Sequence, residues 1–72
     1  MRREKLIAFR GSRTQAEMAA RYGVSQQAWG QWETGKKTPV VVTMKKLEFD
    51  SGIPMEELFF DVFNNQKLRK DA

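Results

Sequence analysis

Cysteine and histidine are both absent from this 72-residue chain. Without thiols there is no disulfide framework and no thiolate metal site, and an intracellular, cytoplasmic protein is the simplest fit. Without imidazole, the commonest general base and metal ligand is missing too. The carboxylates are scattered, and Gly35-Lys36 reads as a turn rather than a phosphate-cradling loop. An enzyme, a bound metal and a cofactor are therefore all unexpected. Long apolar runs are lacking as well. Leu6-Ile7-Ala8-Phe9 is far too short for a secretion signal, and nothing approaches the roughly 20 apolar residues of a membrane span. Strand-like alternation is also missing; the one temptation is Val40-Val41-Val42.

The remaining composition, 40% hydrophobic, suits one small helical domain near the lower size at which a core is self-sufficient. The pattern predicts an all-α fold of five helices over residues 1–63. The spans are about Arg2–Arg10, Gln15–Tyr22, Gln26–Thr34, Val41–Ser51, and a last helix from Pro54 through Leu58 towards Phe63. Pro54 suits a first turn and Gly52 a stop. Residues 64–72 have Leu68 as their only large apolar group and read as a flexible basic tail.

The most informative stretch is Thr14 to Glu33. Thr14 with Glu17 makes a T-x-x-E capping box that starts the second helix. Gly23 can take the left-handed conformation that ends it, and Ser25 is a good N-cap for the third. At 3.6 residues per turn, Ser25, Ala28, Trp29 and Trp32 share one arc of the third helix, with Glu33 at its edge. Gln26, Gln27, Gly30, Gln31 and Thr34 occupy the other. Met18, Ala19 and Tyr22 form the matching stripe on the second helix, and Ala19 is small where two helices must approach closely. The two tryptophans read as core rather than as a stacking platform for bases.

These pieces resemble the helix-turn-helix of the lambda-repressor/Cro-like (XRE-type) DNA-binding family, on Gln15, Met18-Ala19, Gly23-Val24-Ser25, Trp32-Glu33 and Gly35. A looser match runs through Pro39, Thr43-Met44, Gly52-Ile53 and Glu57-Leu58-Phe59, so that it covers about residues 5–60. The resemblance implies a compact five-helix lambda-repressor-like domain, with the helix-turn-helix formed by helices 2 and 3. Glu48 and Ser51 depart from it, since the family carries apolar residues there. The triple valine is a poor helix former. The fourth helix is thus expected to be short, shifted or exposed on one side.

On this resemblance, helix 3 enters the major groove of an operator, and Gln26, Gln27 and Gln31 read bases. The chemistry agrees, because a carboxamide both accepts and donates and so matches adenine N7 and N6. Glutamine is equally a common surface helix residue. Gly30, costly in mid-helix by about 1 kcal/mol relative to alanine, is either a close-approach point for the groove or a tolerated surface glycine. Gln15, Ser25, Arg13, Lys36, Lys37 and Thr38 are candidate contacts to the DNA backbone, giving affinity and register but little sequence information. Arg2 and Arg3 form either an arm or, more simply, a frayed end. Arg10 and Glu33 match a structural pair that ties helix 1 to helix 3.

Charge follows the same division. Residues 1–38 carry eight cations against three carboxylates, whereas residues 39–64 carry two against five. A polar distribution of this kind suits a domain that turns one face to a polyanion. Leu58, Phe59, Val62 and Phe63 form a stripe with Phe60 off it, and Phe60 and Phe63 are candidates for a twofold dimer surface. The expected function is a sequence-specific transcriptional regulator, a repressor first. It would act as a homodimer at least on DNA, on a palindromic double-stranded operator, with RNA polymerase as a further partner. The alternatives are the antitoxin of a toxin–antitoxin module, holding a toxin partner while binding its own promoter, and a restriction-system controller.

Overall fold

The computed structural model describes residues 1–63; the basic tail expected at 64–72 lies outside them. Five helices follow one another: α1 (Glu4–Arg10), α2 (Gln15–Arg21), α3 (Gln26–Thr34), α4 (Val41–Ser51) and α5 (Met55–Leu58). A further helical turn occupies residues 60–63, and no strand occurs among the described residues. α3 and α4 have the spans that the sequence predicts. α1 starts two residues later than expected, and Arg3, its N-cap, directs its amide to the Glu33 carbonyl and its side chain to Trp32, Lys37, Thr38 and Asp61.

Local chemistry accounts for the element ends. Thr14 Oγ1 accepts from the Glu17 amide at 3.0 Å, and Glu17 Oε1 accepts from the Thr14 amide at 2.8 Å, so both halves of the capping box form. Gly23, at φ +70°, turns the chain out of α2. Ser25 Oγ then accepts from the Ala28 amide at 3.0 Å and opens α3. The result is two short helices, packed closely on one another, joined by a turn of a few residues.

The core is built from one or two residues per element: Leu6 of α1, Met18 and Ala19 of α2, Trp29 and Trp32 of α3, Met44 and Leu47 of α4, Leu58 of α5, and Phe59 beyond it. The tryptophans sit inside, as their shared arc requires. Trp29 stacks on Tyr22 with ring centroids 5.8 Å apart and meets Trp32 at 5.6 Å. Such pairs add about 0.5–1.5 kcal/mol each beyond the area they bury.

α4 forms at full length although it opens on Val41 and Val42, with Val40 as its N-cap, and it is exposed on one side. Its inner face carries Met44 and Leu47, whereas Val41, Val42 and Phe49 point outward, Phe49 being 88% exposed. The departures from the apolar pattern have a structural use. Glu48 Oε2 accepts from the Met55 amide at 3.1 Å, and Ser51 Oγ accepts from the Ile53 amide at 3.0 Å. Two polar side chains thereby satisfy backbone donors at the α4–α5 turn, where apolar ones would leave them orphaned.

Candidate functional site

The outer arc of α3 is built as its periodicity dictates. Gln26 and Gln27 are exposed in its first turn, and Gln31 and Gly30 are half-buried. Together with Gln15, Thr34 and Lys36 these residues line a shallow, open concavity of about 620 Å³. Four carboxamides, one hydroxyl and one ammonium thus share a single surface. All can hydrogen-bond, and only the lysine carries a charge.

Beneath that surface lies Glu33, buried to 3% exposure. Its carboxylate receives four N–H donors: Arg10 Nε and Trp29 Nε1 on Oε2, both at 2.6 Å, and Gln15 Nε2 at 2.9 Å and Arg10 Nη2 at 3.3 Å on Oε1. Burial alone would push this carboxyl up, but the bonds from Arg10, Gln15 and Trp29 outweigh it and hold the group below its ordinary range. One side chain therefore fastens α1, α2 and the indole of α3 to a common point. The expected Arg10–Glu33 pair is part of a larger junction.

Gln15 belongs to that junction, which sequence reasoning did not anticipate. It was expected to face a phosphate, yet one amide hydrogen is directed inward at Glu33. Its Oε1 lies over Gly30, where an added Cβ would come within 3.4 Å. Gly30 thus faces a side chain of α2 while also lining the open glutamine surface.

The candidate backbone contacts fall into two groups. Lys36 shares the glutamine surface, and neither Lys36 nor Lys37 forms an ion pair among the described residues. Ser25 and Arg13 are exposed but engaged. Ser25 caps α3, while Arg13 donates to the carbonyls of Phe9 and Arg10 at 2.7 and 3.1 Å and lies over the Phe9 ring. Thr38 Oγ1 accepts a bond from Arg3 at 2.9 Å.

Arg3 corrects the sequence reading outright. Rather than fraying, it is 1% exposed and donates all five of its N–H groups. The partners of Arg3 lie 29 to 58 residues along the chain, so the pattern of the first helix gave no sign of them. The charge division changes accordingly, since Arg3 is neutralised by Asp61 and Arg10 by Glu33. Phe63 is corrected in part: it is half-buried and packs against the core, leaving Phe60, at 40% exposure, as the outward member of that pair.

Among the described residues no His, Cys, Asp or Glu cluster could hold a metal ion, and no helix is long and apolar enough to cross a membrane. No protein-family model, curated protein or solved structure matches the chain.

Proposed function

We propose that the chain is a sequence-specific DNA-binding transcriptional regulator that lays α3 in the major groove of an operator. The observation that carries this reading is the glutamine surface. Gln26, Gln27 and Gln31 project from a single arc of a short helix whose opposite arc is buried through Trp29, Trp32 and Glu33. A carboxamide on a rigid helix reads adenine by paired bonds, each worth about 1–3 kcal/mol of discrimination. Lys36, and Lys37 beside it, supply charge at the end of α3, where contacts to phosphate give affinity without sequence choice.

Neighbouring arrangements support the same geometry. The four-donor junction at Glu33 fixes α3 against α1 and α2, so that the carboxamides are presented from a firm base rather than a mobile one. A single short helix spans few base pairs. Twofold pairing, with Phe60 at or near the contact, places two copies of α3 about 34 Å apart on a palindromic operator. Occupying such a site excludes RNA polymerase, which makes repression the first expectation.

A second reading, a module that holds a protein partner in the manner of an antitoxin, is favoured by the exposed Val41, Val42 and Phe49 on α4. The first reading is tested by selecting bound sequences from a random duplex pool and titrating the winner by fluorescence anisotropy. A sequence-specific regulator yields a consensus, and Gln26→Ala or Gln27→Ala flattens preference at particular base pairs. Lys37→Ala weakens all duplexes alike and lowers the salt slope by about one. Failure of the wild-type protein to enrich any sequence at moderate ionic strength overturns the first reading. Sedimentation with and without the selected duplex decides the dimer.

A further inference from the structure

We infer that Arg3 is a positioning residue for the loop that follows α3, setting where Lys36, Lys37 and Thr38 meet the DNA backbone; this rests on the DNA-binding reading above. The guanidinium stands at a crossing of three segments. Nε and Nη2 grip Asp61 as a fork, at 2.9 Å to each oxygen, in the helical turn 60–63. Nη1 donates to the Trp32 carbonyl at 2.9 Å in the last turn of α3, and to the Lys37 carbonyl at 2.8 Å. Nη2 also donates to Thr38 Oγ1 at 2.9 Å. The face of the group lies over the Phe59 ring, 5.0 Å from its centroid. The Arg3 amide adds a bond to the Glu33 carbonyl at 2.8 Å, fixing the backbone from which the side chain departs.

Three features make this more than a buried ion pair. First, every donor is used, so the planar fork has one orientation and the loop carbonyl it holds has one position. Second, the loop is bound on both flanks: the Lys37 amide donates to the Gln31 carbonyl at 3.2 Å while the Lys37 carbonyl accepts from Arg3. The ammonium-bearing side chains of Lys36 and Lys37, which have no ion-pair partner among the described residues, are thereby carried on a fixed backbone beside the glutamine surface. Third, Thr38 accepts from Arg3 through its oxygen and so keeps its hydroxyl hydrogen for an outside acceptor. A hydroxyl on an exposed residue, polarised by a cation behind it, suits a phosphate oxygen. Asp61 extends the arrangement to the turn that bears Phe60, so that the candidate dimer surface and the candidate phosphate loop share one clamp.

The test uses the full chain with Arg3→Lys, which keeps the charge and loses the fork, and Asp61→Asn, which keeps Arg3 and loses its counter-ion. Binding to the selected duplex and to a random one is measured across salt concentrations, with the folded fraction checked by urea titration. Both variants are expected to weaken the two duplexes alike, about tenfold near 0.1 M salt, and to lower the salt slope by about one. Base preference is retained. In a Lys36→Ala/Lys37→Ala background, Arg3→Lys is expected to add little. Amide hydrogen exchange, which needs no DNA, is expected to quicken at Lys37 in both variants and to stay unchanged at Trp29.

Equal factors for Arg3→Lys with and without the two lysines, or an unchanged exchange rate at Lys37, overturn the inference even where DNA binding stands. If wild-type protein selects no duplex, the functional reading fails by itself, and quickened Lys37 exchange would still establish the clamp as a loop-positioning device.

Discussion

Replacing Glu33 by glutamine should cost more stability than any conservative change elsewhere in the described fold. The carboxylate accepts four N–H groups, two on each oxygen. A carboxamide has one oxygen, so whichever way it turns, its NH₂ faces two donors that were bonded before. Arg10 also loses its counter-ion. Breaking a buried pair from one side costs about 3–5 kcal/mol. The Arg10 side chain is 23% exposed, so water can reach it, and the lower end, about 3 kcal/mol, applies. A domain of this size is stable by only about 4–10 kcal/mol, so the variant should stand near the edge of folding. Urea unfolding followed by the fluorescence of Trp29 and Trp32, both buried, reads the difference directly. The pH dependence sharpens the test. Glu33 is held below its unfolded value of 4.5, so its contribution is whole above that value and fades as pH falls through the folded one. Wild-type protein should lose stability in acid faster than Glu33→Gln, and the gap between them should narrow. A gap under about 1 kcal/mol at pH 7, or one that stays constant to pH 3, would refute the account of this junction.

Gly30→Ala separates stability from recognition. It should gain a few tenths of a kcal/mol from helix propensity, the added Cβ resting at 3.4 Å from Gln15 Oε1, while weakening the selected duplex; a loss of both points to a purely structural glycine. Thr14→Ala removes one half of the capping box and should cost about 1 kcal/mol, seen as a lowered melting temperature of about 4–8 °C. Phe49→Ser should change stability by less than about 0.5 kcal/mol, because the ring touches so little of the fold, and a much larger loss in chemical denaturation would contradict its exposure. The Tyr22 phenol is pushed up, first by burial and then by its 2.7 Å bond to Asp50, so its ultraviolet titration should lie above pH 10 and move down in Asp50→Asn.

How far the sequence reaches depends on whether a feature is local. The capping box at Thr14, the glycine turn at Gly23, the Ser25 cap and the inward tryptophans all follow from spacings within one or two turns, and the structure carries each of them. The placement of Gln26, Gln27 and Gln31 on one surface follows from the same periodicity. What could not be read is the set of contacts across long sequence separations. Arg3 to Asp61 spans 58 residues and Gln15 to Glu33 spans 18, and no helical wheel relates them. Phe49 is a different case. Laid on a wheel with Met44 and Leu47 inward, it falls on the opposite arc beside Val42, so its exposure follows from periodicity alone.

Those long-range contacts share a physical logic that bears on the proposed function. A chain this small has little apolar area with which to hold a protruding helix rigid. Here two arginines, Arg3 buried and Arg10 half-buried, accomplish what further aliphatic packing would in a larger domain: Arg10 fastens the middle of the fold through the buried Glu33, and Arg3 fastens the end of α3 through Trp32, Lys37 and Asp61. Charged networks of this kind are poor net stabilisers but strict about geometry, since any displacement leaves a buried charge unmatched. Strict geometry at moderate stability is what a helix must have if three carboxamides are to meet base edges in register, and it is also why conservative changes at Arg3 and Glu33 should be felt at a surface that neither side chain reaches.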